Sequence, residues 1–268
     1  MKLDKENLIY RTLTAVLGII VLLFIFYWGG YIYSLLIVAI AIAAYIEYVQ
    51  ISQHMGKKIP AVLGAIAGLT FLLHHIVDMS LSWGTLFVPI IVLMCFEMIV
   101  KYPRMKFDDL TMGFFGIFYI FVLISYFLNI RALENGFLWI LFVMILIWVG
   151  DSAAYFVGVK WGQHKLAASL SPKKSVEGAI GSLCFTVMIS ILGGLFFFSF
   201  DPLSGLLFGI VVSVSGIFGD LFESALKRTA NVKDSGKLLP GHGGILDRFD
   251  SALFVVPIAY FFITRFLL

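Results

Sequence analysis

AVLGIIVLLFIFYWGGYIYSLLIVAIAIAAYIEYVQIS, residues 15–52, contains one acid, Glu47, and no lysine or arginine. About 20 consecutive apolar residues make a helix long enough to cross a hydrocarbon core about 30 Å thick. This stretch is long enough to cross twice. Its first run, Ala15 to Trp28, leads straight into the second with no small-residue cleavage pattern between them. The N-terminal segment therefore reads as a membrane span and not as a cleavable signal. The same pattern recurs along the chain and gives nine candidate helices, near 12–29, 31–52, 60–77, 84–100, 110–129, 136–158, 178–199, 203–225 and 251–267. Lipid offers no partner to backbone polar groups, so spans are helices or closed barrels. Continuous apolar runs, as opposed to alternating ones, select helices.

Composition agrees. Hydrophobic residues make up 61% of the 268-residue chain and charged residues 13%, whereas a soluble domain is about half apolar and a quarter charged. That surplus excludes a water-soluble protein with a single core. The expected fold is an all-α integral membrane protein, a polytopic bundle of about nine transmembrane helices. It forms one membrane domain over 1–268, with helices one to five (1–135) as scaffold and helices six to nine (136–268) as the catalytic part. Cys95 and Cys184 both fall in apolar runs and read as buried thiols, with neither a disulfide framework nor zinc spacing.

Basic residues set the orientation. With nine spans, all of the 19 lysines and arginines except Arg131 and Arg265 fall on one side. By the positive-inside rule that side is cytoplasmic, with the N-terminus inside and the C-terminus outside. The two long loops, 159–177 and 226–250, lie on this side and both are basic.

Acidic residues cluster at the same depth. Asp151 lies near the cytoplasmic end of helix six, Asp220 and Glu223 near that of helix eight, and Asp247 and Asp250 at the start of helix nine. A charge at the centre of a span costs roughly 2.5–3.5 kcal/mol on insertion scales, so something must offset five. Asp220, Glu223 and Lys227 share one helical face. Asp247 and Asp250 share another if helix nine starts early enough. A divalent cation between them is the economical explanation, and magnesium suits oxygen ligands completed by substrate phosphates. Glu223 also suits a simple pairing with Lys227 or Arg228. Isolated acids such as Glu47 and Glu97 read as groups that reach water or pair with a lysine.

The loops supply the complementary charge. Lys227, Arg228, Lys233, Lys237, His242 and Arg248 surround Pro240-Gly241-His242-Gly243-Gly244, a turn whose backbone amides can approach an anion closely. In the first loop Ser171-Pro172 reads as a turn. Lys173 and Lys174 then precede Ser175, a candidate N-cap for helix seven, which makes an anion site at a helix start.

These residues resemble the CDP-diacylglycerol synthases, or phosphatidate cytidylyltransferases. The family signature runs Ser-x-x-Lys-Arg, four residues, Lys-Asp, then Pro-Gly-His-Gly-Gly, two residues, Asp-Arg-x-Asp. It is matched by Ser224, Lys227, Arg228, Lys233, Asp234, Pro240 to Gly244, Asp247, Arg248 and Asp250. Gly150-Asp151-Ser152-Ala153-Ala154-Tyr155 and Ser171 to Gly178 also resemble the family. The likeness covers roughly residues 148–257, while residues 1–147 agree only as apolar helices. The resemblance implies CTP and phosphatidic acid as substrates, CDP-diacylglycerol and pyrophosphate as products, a divalent metal, a homodimer, and the cytoplasmic (inner) membrane as location. Nothing points to nucleic acid.

Nucleophile and electrophile are both anions, so catalysis should rest on positioning and charge neutralisation. The expected assignment places Asp220, Asp247 and Asp250 on magnesium, with Asp151 or Glu223 completing the shell or holding a second cation. Lys227, Arg228, Lys233 and Arg248 would stabilise pyrophosphate, and His242 would protonate or bind it. Lys173 and Lys174 would hold the phosphate of CTP or of the lipid. Ser224, Lys237, Gly243 and Gly244 belong to the same phosphate cradle. Other CTP-dependent lipid enzymes, such as a polyprenol kinase or an ether-lipid cytidylyltransferase, would use similar parts. A CDP-alcohol phosphotransferase would need an Asp-Gly-x-x-Ala-Arg arrangement that is missing here. A transporter would need polar residues near the midplane, where helices one to five offer few. His74, His75 and Asp78 read as interfacial polarity. The small-residue pairs Gly64/Gly68 and Gly178/Ser182 read as internal helix contacts.

Overall fold

The structure, a computed structural model, describes residues 18, 21–77, 83–236, 238 and 243–268. Helix α1 is described over 21–28. It is followed by α2 (Gly30–His54), α3 (Ala61–Ile76) and α4 (Trp83–Lys101). Then come α5 (Phe107–Ala132), α6 (Gly136–Trp161), α7 (Val176–Phe198), α8 (Pro202–Thr229) and α9 (Leu246–Leu267). Six of these, α2 and α5 to α9, are long and apolar enough to cross a membrane, so the chain is a multi-pass membrane protein. α3 is apolar but shorter, at 16 residues.

The expected helices from the second onward recur with shifted ends, residues 12–17, 19 and 20 of the first lie outside the described residues, and two departures matter. The first long loop is not irregular. Lys165–Ala167 (β1) and Ser171–Ser175 (β2) form an antiparallel hairpin with Lys165 opposite Ser175 and Ala167 opposite Ser171. Ser171-Pro172 therefore lies in a strand, the turn falls at 168–170, and the fold is not purely helical. The cause is local: an edge strand tolerates Pro172, which has no amide hydrogen to donate. The second departure is α9, which starts at Leu246 and not near 251. Asp247 therefore sits on its first turn and Asp250 at the start of the second, at a spacing that shares a face.

Helix packing follows small residues. In the N-terminal half, a side chain on Gly68 would collide with the ring of Phe121, and one on Gly116 with Tyr48. Gly64 likewise makes room for Tyr45. These glycines admit aromatic knobs from neighbouring helices, which is how spans approach closely without a hydrophobic drive between them. Tyr33 and Tyr48 are fully buried. Their hydroxyls donate to the carbonyls of Phe127 (2.9 Å) and Met112 (2.8 Å), tying α2 to α5. In the C-terminal half α6 packs on α7, α7 on α8 and α8 on α9, while the second half of α5 packs on α9 and joins the two halves. Gly178 faces the Ala154 carbonyl and Gly158, so its pair with Ser182 is an internal contact, as is Gly64/Gly68. Cys95 is half-buried and Cys184 exposed, both as free thiols. Cys184 thus departs from the expected burial: its position on α7 faces out of the bundle, where an apolar helix meets lipid.

Candidate active site

The first loop is closed over the start of α7. Ser175 caps the helix, its hydroxyl accepting from the Gly178 amide at 3.1 Å, as its position before an apolar run predicts. Glu177 accepts from the backbone amides of Gln163 (3.1 Å) and His164 (3.2 Å) and pairs with the His164 ring at 2.6 Å. Arg228 Nε donates to the Leu170 carbonyl and Nη1 to that of Val232, both at 3.1 Å. That arginine fastens the hairpin turn to the loop following α8.

Beneath the hairpin, between α6, α7 and α8, lies a cavity of about 620 Å³. Lys173 and Lys174 line its mouth together with Asp151 and Asp220. Lys174 Nζ is ion-paired with Asp220. Gly150, Gly158, Gly178 and Gly216 line the walls and keep the space open. At Gly219, beside Asp220, an added side chain would stand 2.6 Å from the Asp250 carbonyl. That close approach of α8 and α9 puts Asp250 within electrostatic reach of Asp220, Glu223 and Asp151. Asp151 in turn feels Asp220, Lys174 and Arg248.

A second group of charges surrounds the start of α9. Glu223 is fully buried and paired with Lys227, whose Nζ also reaches Asp247 Oδ1 at 2.6 Å. Asp247 Oδ2 accepts from the amides of Gly244 (2.8 Å) and Ser235 (2.9 Å) and from the Ser235 hydroxyl (3.0 Å). The adjoining carboxylate comes from far away in the chain. Glu47 on α2 accepts from the amides of Ile245 and Leu246, each at 2.8 Å, and shares the single Ser235 hydroxyl hydrogen with Asp247, its Oε2 lying 2.8 Å from that oxygen. A carboxylate there satisfies orphan amides at the positive end of the helix dipole. A side chain on Gly236 or Gly244 would collide with Glu47, and one on Gly243 would lie 2.7 Å from Asp247 Oδ2. Gly243 also has a φ of 82°, in the left-handed region that favours glycine. These glycines make room for carboxylates, in addition to any approach to an anion.

The sequence-predicted residues therefore divide. Asp151, Asp220, Lys173 and Lys174 meet at the cavity. Glu223, Lys227 and Asp247 meet at the α9 start, with Asp250 between the two groups. Ser224 is buried on α8, and Lys233 and Arg248 are exposed. Lys237, Pro240, Gly241 and His242 lie outside the described residues, as does Asp78. Glu97 pairs with Lys101 at 2.5 Å, as expected of an isolated acid. Glu47 is 4% exposed and bonded to the start of α9, and it pairs with no lysine among the described residues. Sequence reasoning gave it no role, although its being the only charge in residues 15–52 was the available signal. Ser235, the bridge between Glu47 and Asp247, carried no signal.

Among the described residues no three His, Cys, Asp or Glu groups are brought together to hold a metal ion. The donor chemistry nonetheless fits magnesium, which commonly takes one or two carboxylates and completes its shell with phosphates and water. Glu223 Oε1 is buried without a hydrogen-bond partner among the described residues, and the ammonium groups of Lys174 and Lys227 stand against the carboxylates where a cation would.

A family model described as "Cytidylyltransferase family" matches residues 9–266. The chain belongs to the cytidylyltransferase family. It is 37% identical over 264 residues to the phosphatidate cytidylyltransferase of Bacillus subtilis (strain 168), covering 96% of this chain and 97% of that one. The protein of the same name from Staphylococcus haemolyticus (strain JCSC1435) is 34% identical, with 92% and 96% covered. That from Staphylococcus aureus (strain COL) is 33% identical at the same coverage. The match spans both halves of this cytidylyltransferase, including the α2 and α5 scaffold that the motifs leave out.

Proposed function

We infer that this cytidylyltransferase transfers CMP from CTP to phosphatidic acid, forming CDP-diacylglycerol and pyrophosphate. One observation carries the assignment to this site. Lysines and carboxylates meet at the mouth of a cavity that continues between apolar helices, so one hollow offers charge for phosphates and depth for a lipid. An oxygen of the phosphatidate attacks the α-phosphorus of CTP. A new P–O bond forms, the bond from that phosphorus to the β-phosphate bridge oxygen breaks, and pyrophosphate departs. The nucleophile is already ionised, so no general base is needed.

Lys173 and Lys174 hold the lipid phosphate, because both line the cavity that leads into the bundle. Lys227, Lys233 and Arg248 receive the pyrophosphate, and His242 and Lys237 belong to the same loop. Arg228 keeps the hairpin in place over both. Asp220 and Asp250, with Asp151, are the residues that would hold magnesium, and Asp247 and Glu223 would join them where Lys227 turns to phosphate. The metal would supply neutralisation of the CTP phosphates. Residues 136–268 carry the chemistry and 1–135 the scaffold. The enzyme has nine spans, lies in the cytoplasmic membrane with its N-terminus and site on the cytoplasmic side, and forms a homodimer. The bias of lysine and arginine supports the orientation.

Purified protein incubated with phosphatidic acid and CTP labelled in the α-phosphate is expected to yield labelled lipid and pyrophosphate only when magnesium is present. Transfer of label from the γ-phosphate instead would identify a lipid kinase and end this reading. Turnover unaffected by chelation would remove the metal from it.

A further inference from the structure

The inner end of the cavity has polar groups that the steps above leave unused. Thr186 on α7 is 1% exposed and Ser213 on α8 is 4% exposed, and both line the cavity. Neither hydroxyl has a hydrogen-bond partner among the described residues. This is unusual, because a buried serine or threonine on a helix normally bonds to the carbonyl one turn back. Ser52 and Ser215 in this protein do so. A buried hydroxyl without a partner is costly. Two such groups in one hollow indicate a place shaped for an acceptor that arrives with a ligand.

The neighbourhood restricts that acceptor. A side chain on Gly150 would stand 2.8 Å from Thr186 Oγ1 and 2.9 Å from Ser182 Oγ, so the missing side chain leaves the hydroxyls open to the cavity. The surrounding wall is apolar, with Leu146, Ile147 and Val212. Ser213 precedes Asp220 by seven residues, about 10 Å along the helix. This places the hydroxyls on the bundle side of the charged mouth. A nucleobase would need several donors and acceptors in one plane, which Leu146, Ile147 and Val212 do not supply. A neutral acceptor joined to hydrocarbon, one short linker away from a phosphate, suits hydroxyl donors in an apolar wall. The ester carbonyls of a diacyl phosphatidic acid answer that description.

We propose that Thr186 and Ser213 form a subsite that donates hydrogen bonds to the acyl ester carbonyls of phosphatidic acid and so selects diacyl over dialkyl lipid. The inference rests on the cavity being the phosphatidate site of the cytidylyltransferase reaction.

The test compares diacyl phosphatidic acid with its dialkyl ether analogue of equal chain length, using the full chain in mixed micelles and measuring kcat/KM for each. The parent protein should favour the diester by about fivefold to tenfold, the scale of one net hydrogen bond. Thr186→Val and Ser213→Ala, both close in size to the parent residue, should lose this preference by slowing the diester alone. The ether rate and the KM for CTP should stay unchanged. Thr186→Ser keeps the hydroxyl and should restore the preference. Equal use of both lipids by the parent would overturn the subsite while leaving the reaction intact. So would an equal loss on both lipids in Thr186→Val, or a raised KM for CTP with the lipid preference kept. Absence of CDP-lipid from either substrate would overturn the cytidylyltransfer reading, and the subsite with it.

Discussion

Two groups of polar residues lie side by side in this bundle and differ in how far their hydrogen-bonding capacity is used. At the start of α9 most groups are engaged, Glu223 Oε1 excepted: Glu47 accepts from two amides, Asp247 Oδ2 from two more, the Ser235 hydroxyl lies between the two carboxylates, and Lys227 bridges Glu223 and Asp247. In the cavity between α6, α7 and α8, Thr186 and Ser213 lack partners among the described residues, and Asp151 and Asp220, the latter paired with Lys174, line an open hollow. A buried polar network with all members satisfied fixes one arrangement of the backbone. Unsatisfied groups around a cavity remain available to a ligand. The same residue types are thus bonded to the fold in one place and left facing a cavity in the other.

The sharpest way to break this contrast is Asp220→Asn, which removes negative charge at the cavity mouth. CTP incorporation should fall by about 100-fold or more, the scale of losing one electrostatic contact at a reacting phosphate. The monodisperse elution of the folded protein should not change. Near-normal turnover would take Asp220 out of the site. Glu47→Ala tests the other side. It leaves the amides of Ile245 and Leu246 without their acceptor, while the Ser235 hydroxyl keeps Asp247 Oδ2, and each buried orphan costs about 1–3 kcal/mol. A clearly lowered unfolding temperature in detergent is expected, with Glu47→Gln retaining part of the stability because one carbonyl acceptor survives. An alanine variant as stable as the parent would show that the α2–α9 link is dispensable.

Lys173→Ala should have a smaller effect. One charge-assisted contact to phosphate is lost, and the KM for phosphatidic acid should rise about threefold to tenfold with kcat little changed. A rise in the KM for CTP instead would move this lysine to the nucleotide. The smallest effect belongs to Asp201, which caps α8 far from the charged cluster. It accepts from the amides of Leu203 (2.9 Å) and Ser204 (3.0 Å). The Ser204 hydroxyl, followed by these amides, holds its carboxyl below the usual carboxylate range. A depressed value means that its support is complete above the unfolded-state pKa and fades as the pH falls through the folded one. Asp201→Ala should therefore lower the unfolding temperature slightly at neutral pH, lose that difference in acid, and leave turnover unchanged.

Much of this was written in the order of residues. The apolar runs, the N-cap at Ser175 and the shared helical face of Glu223 and Lys227 follow from spacing alone, because each depends on neighbours within one or two turns. The hairpin escaped because a strand of SPKKS has neither alternation nor β-branched residues to announce it. The early start of α9 escaped for a different reason: the carboxylate that satisfies its first amides belongs to Glu47, about 200 residues upstream.

The amino-acid sequence by itself determined that the chain lives in lipid and which residues carry the motif that resembles the family. Those properties are sums over local composition and helical period. Only the tertiary structure decided that Glu47 and Ser235 hold the α9 start, that Asp151 and Asp220 open onto one hollow while Asp247 is engaged elsewhere, and that Thr186 and Ser213 lack partners among the described residues. Hydrogen bonds are short-ranged and indifferent to separation along the chain, so whether a polar group is satisfied is settled only when the helices pack.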